Sequence, residues 1–107
     1  MVILNNNMPF VNKNISFTFN MEIDTTLRKL SGFTASEVLI SNKSGRDLFI
    51  YDNDNFADDR RFLIKTSESM VLRGITNTNE VSAKVDSLPL SGNVYFRSAY
   101  FSNFNQF

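Results

Sequence analysis

Neither cysteine nor histidine occurs anywhere in the 107 residues. Their absence removes disulfides, thiolate nucleophiles, Cys/His zinc sites and any imidazole base. Net charge is missing as well: eleven Lys and Arg balance eleven Asp and Glu. No overall field therefore draws in nucleic acid or an anionic membrane surface. No window reaches the roughly 20 consecutive apolar residues of a membrane helix. The opening run Val2-Ile3-Leu4 is too short for a secretory signal and lacks its basic flank. A chain without cysteine suits a reducing compartment.

What is present is the mix of an ordinary globular domain, 42% hydrophobic and 21% charged. At this length one domain with a real core is expected. Fourteen asparagines, twelve serines and seven threonines bond local backbone in turns and so favour short strands with many loops. Asn14-Ile15-Ser16 and Asn42-Lys43-Ser44 match the glycosylation sequon. In so asparagine-rich a chain without a signal segment, we read them as chance matches.

Residues 14–24 show the clearest alternation. Ile15, Phe17, Phe19, Met21 and Ile23 interleave with Ser16, Thr18, Asn20 and Glu22, which predicts a strand with one apolar and one wet face. Residues 25–36 carry Leu27, Leu30 and Phe33 at three-residue spacing, predicting a helical turn or folded-back loop that plugs the core. Residues 37–41 and 47–51 read as two strands of a hairpin turning at Gly45. Further strands are expected at 61–65, 70–75, 81–85 and 94–102. The last has two stripes, Val94, Phe96, Ser98 and Tyr100 against Tyr95, Arg97, Ala99 and Phe101. Both are apolar enough to be buried.

Short strands with turn signals every eight to twelve residues predict an all-β fold, a single antiparallel β-sandwich or small barrel of about seven strands. The domain is expected over residues 14–102, with flexible arms at 1–13 and 103–107.

Four features bear on function. Residues 52–59 (DNDNFADD) open like a calcium loop. The match then fails at Phe56, at Ala57 in place of glycine, and at Leu63 in place of the bidentate glutamate. Acid pairs among Asp52, Asp54, Asp58 and Asp59 could meet the spacing of a glycosidase, as almost any acidic loop could, but a domain this small has little room for a deep cleft. No catalytic residue, metal or cofactor is assigned. The aromatic–basic run 94–101 resembles a base-stacking platform without the positive groove such platforms need, so nucleic acid is not an expected partner. Tyr51, Tyr95 and Tyr100 are the candidates for stacking on sugar rings. Finally, Phe104 and Phe107 follow Phe101 beyond the expected last strand, and Ile3, Leu4 and Phe10 stand in the leading arm. Exposed aromatic and aliphatic groups of this kind anchor interfaces, so these six form the candidate interface.

From Ser41 onward the stretches ISNKSGRDLFI (40–50), SESMVLRGITN (67–77) and GNVYFR (92–97) resemble the small all-β structural proteins of tailed bacteriophages. The resemblance spans about half the chain. It implies a non-enzymatic virion protein, first a capsid cement or decoration subunit, with a neck, tail or baseplate component as the alternative. It also implies many copies or a homo-oligomer on a major capsid or other virion protein, assembled in the host cytoplasm. A small carbohydrate-binding module is the other class left open.

Overall fold

Alternating apolar residues make strands only when a second layer takes their apolar side, and this chain supplies two layers. The computed structural model describes residues 10–52 and 56–105, and for residues 10–14 and 101–105 the backbone alone. Among these residues eight strands form: β1 (Phe10–Phe19), β2 (Arg28–Lys29), β3 (Glu37–Asn42), β4 (Leu48–Asp52), β5 (Phe62–Ile64), β6 (Ser69–Arg73), β7 (Val81–Val85) and β8 (Val94–Asn105). They form two antiparallel four-stranded sheets, ordered β1-β8-β3-β6 and β2-β7-β4-β5. The fold is a β-sandwich. The pairs nest, β1 with β8, β2 with β7, β3 with β6 and β4 with β5, as though one long hairpin had been rolled up. That order is the double Greek key of a jelly roll.

The core lies between the sheets. Phe19, Val38, Ile40, Leu72, Val94 and Phe96 face Leu48, Ile50, Ile64, Val81, Ala83 and Val85, all buried. Each such side chain contributes roughly 1.5–3 kcal/mol for the larger residues. Phe19 stacks on Phe96 with ring centroids 5.2 Å apart. Of the two stripes on the last strand, Val94, Phe96 and Ser98 turn inward while Tyr95 and Arg97 face solvent.

Several expectations change. The first strand runs over 10–19, not 14–24; residues 20–27 then cross to the second sheet, and Ile23 still reaches the core from the crossing. Residues 25–36 hold no helical turn but the two-residue β2, with Leu30 buried as the expected plug. This loop is moored by buried Thr78, whose hydroxyl donates to the Ser31 carbonyl and accepts from Phe33 N–H at 2.8 Å.

The expected hairpin of β3 with β4 does not form. The two strands belong to opposite sheets, because the chain turns through a buried knot at Asn42 and Ser44. Asn42 donates from Nδ2 to the carbonyls of Arg46 and Ile64, each at 2.7 Å, and accepts from Ser44 N–H and Oγ. Gly45 keeps the positive φ expected of it, at 81°. Residues 10–13 and 103–105, expected in the arms, are strand.

Candidate interaction surface

Where the sheets overlap, β8 lies between β1 and β3. Its pairing with β3 ends at Ala99, while its pairing with β1 continues to Asn105 opposite Phe10. Residues 10–15 and 100–105 thus form a two-stranded arm about 20 Å long. The molecule measures 59 × 26 × 19 Å, so it is drawn out along one axis.

At the root of the arm the core opens. Phe19 is buried, yet Phe17 and Ile15, two and four residues before it on the same strand face, are 37% and 51% exposed. Phe33 bridges the transition, edge-on to Phe17 at 4.8 Å and tilted against Phe19 at 5.0 Å. The alternation read along β1 is therefore real, but the second sheet covers only its end.

Three of the six candidate interface residues fall on this arm. Phe10 pairs in register with Asn105, Phe101 with Asn14 and Phe104 with Val11. Phe104 is thus part of β8 rather than beyond it. Ile3, Leu4 and Phe107 lie outside the described residues, as do the side chains of Phe10, Phe101 and Phe104. Sequence reasoning missed Ile15 and Phe17 as surface groups, since alternation shows which side they take but not where the opposing sheet stops.

A second feature is an open groove of about 640 Å³ between residues 20–24 and 88–95, with Tyr95, Leu88, Asn20, Glu22 and Asn93 among its lining. Tyr95 is 47% exposed. Asp24, also at the groove, is committed to Arg28 in an ion pair of 2.8 Å. That hydrogen bond, helped by Thr26 N–H, holds its carboxyl below the usual range.

Tyr51 is corrected as a sugar-stacking candidate: it is 1% exposed. Its hydroxyl donates to Asp58 at 2.9 Å and accepts from Arg61 at 3.1 Å, and the Arg61 guanidinium lies 3.8 Å over the Phe49 ring. These contacts latch residues 58–61 onto the outer face of the second sheet. In the acidic loop, residues 53–55, Asp54 included, lie outside the described residues. Among the described residues no three acidic side chains gather as a cation site, and Asp58 serves the latch.

Comparison with protein-family models, curated proteins and solved structures finds no match to this chain.

Proposed function

We propose that this protein is a non-enzymatic structural subunit of a virion, a capsid cement or decoration protein that stabilises a phage particle through protein–protein contacts. The arm carries the reading. A two-stranded ribbon is at best marginally stable in water, and this one emerges from the sandwich beside exposed Ile15 and Phe17. Docking supplies the missing cover, and buried apolar area on a larger lattice would hold subunit and neighbours together. Jelly rolls recur in viral capsid domains, a fold-level analogy that supports the reading without carrying it.

Quantitative mass spectrometry of gradient-purified particles from the producing culture tests it. A fixed ratio to a major shell protein is expected. Copy number in the hundreds fits a shell subunit and about a dozen fits the neck, tail or baseplate alternative. Absence from every particle fraction would reject both.

The groove favours a second reading, a small carbohydrate-binding module. Tyr95 there is half exposed beside Asn20, Glu22 and Asn93, the pairing of an aromatic ring with polar groups that a sugar needs. Binding on a glycan array that Tyr95→Ala abolishes would support it, and a blank array would dismiss it.

A further inference from the structure

An open sheet ends in edges whose unpaired N–H and C=O groups accept another strand, and folded proteins protect such edges with brevity, charge or proline. Among the described residues this sandwich has four edges, β1 and β6 on one sheet and β2 and β5 on the other. Three are protected. β2 is two residues, both cationic; β5 is three residues between Arg61 and Lys65; β6 is five residues, preceded by Glu68 and ending in Arg73. β1 is different. It runs for ten residues with no proline, no acid and a single charge, Lys13. Half its length lies in an arm of only two strands, below the three or more that stand alone in water.

We propose that β1 pairs edge to edge with β1 of a second copy of this chain, antiparallel about a two-fold axis, joining two four-stranded sheets into one of eight. The inference does not rest on the virion reading. Identical strands meet the geometric demand unaided, because a two-fold contact presents the same surface from both sides. With Ile15 on the axis, residues 11–19 of each copy overlap and the inner faces of both sheets stay on one side. Ile15 then meets Ile15, covering the most exposed apolar residue described on the strand. The two Lys13 positions stand about 13 Å apart along the strands, so like charges do not meet. Each arm then lies along residues 15–19 of the other copy's β1, the part of that strand backed by its own sheet.

Sedimentation velocity on the full chain over a wide concentration range tests the pairing. A dimer is expected. Ile15→Lys sets two like charges opposite each other and should weaken association roughly a hundredfold or more, with unchanged far-ultraviolet circular dichroism. Val71→Lys, on the far edge of the same sheet, should leave the dimer intact. The absence of cysteine gives an independent readout, since Ser16→Cys places one spin label per chain. Diagonal neighbours across the axis lie about 7–8 Å apart, so strong dipolar broadening is expected in the otherwise wild-type protein, which decides the matter should Ile15→Lys fail to fold. A monomer at every concentration, a dimer indifferent to Ile15→Lys, or labels without broadening would each overturn the proposal. A dimer found on no particle would instead sink the function proposed above and leave this pairing standing.

Discussion

Asn42 sits where the chain leaves the first sheet for the second, fully buried, with both amide hydrogens donated and its oxygen accepting twice. An amide has no further capacity to give. Truncation removes the buried donor to the Ile64 carbonyl and one of the two donors to the Arg46 carbonyl, and it leaves a void beside Ser44; an unpaired buried group costs about 1–3 kcal/mol. Asn42→Ala should therefore lower unfolding free energy by about 3 kcal/mol in urea titrations, while the exposed Asn93→Ala changes it little. The converse case is Ser98, whose buried Oγ has no partner. Ser98→Ala removes an unpaid desolvation and should leave stability equal or raised by up to about 1 kcal/mol. In the sequence Asn42 reads only as the first residue of a sequon. Its burial also takes it out of reach of modification, but nothing local distinguishes a buried asparagine from thirteen others. Alternation, by contrast, is local: Val81, Ala83 and Val85 alternate with Ser82 and Lys84 and share the buried inner face of their strand.

At the scale of elements, the turns decide where strands go, and they do so through contacts distant in sequence. Residues 43–45 pack back to back with 91–93: Lys43 N–H donates to the Asn93 carbonyl at 2.9 Å, and Ser91 N–H to the Ser44 carbonyl at 2.8 Å. A Cβ at Gly92 would stand 2.1 Å from the Lys43 carbonyl oxygen. Gly92→Ala must push the two turns apart, and a loss of about 1–3 kcal/mol is expected in thermal or urea melts. This is also why no β3–β4 hairpin forms although the sequence predicts one. Gly45 does supply the positive φ of a tight turn, but its neighbours are claimed by 91–93 and by Asn42. The short 3-10 turn Thr78–Glu80 is closed by a capping box with Asn77. Bonds from the Thr76 hydroxyl and N–H, and from Asn77 N–H, hold the Glu80 carboxyl below the usual glutamate range. A carboxyl depressed in the folded state adds stability above its unfolded pKa and loses it as pH falls through the folded one. Glu80→Gln should lower the melting temperature at neutral pH, and the difference from wild type should shrink progressively below about pH 4.5. A constant difference down to acid would mean that the charge contributes nothing.

Across the whole molecule, nearly every pairing joins distant parts of the chain; only β4 and β5 are neighbours in both sequence and sheet. Composition and turn spacing indicated an antiparallel sandwich because those signals are local, whereas strand order and the two-residue β2 depend on partners that no single window contains. The nested order has a mechanical consequence at its outer turn. Residues 96–99 of β8 are held on both sides, by β1 and β3, whereas residues 100–105 are held by β1 alone. Amides in a singly paired ribbon open by local fraying, and those in a doubly paired strand open only with much of the domain. Hydrogen exchange followed by mass spectrometry should therefore show two classes within one continuous strand, slow over 96–99 and fast over 100–105. If two copies share the β1 edge, residues 10–19 and 100–105 should become more protected as protein concentration rises, while 96–99, 38–42 and 81–85 stay unchanged. Uniform protection along β8 at high dilution would show that the arm is as stable alone as the sandwich. The case that it needs a partner to hold it would then fail.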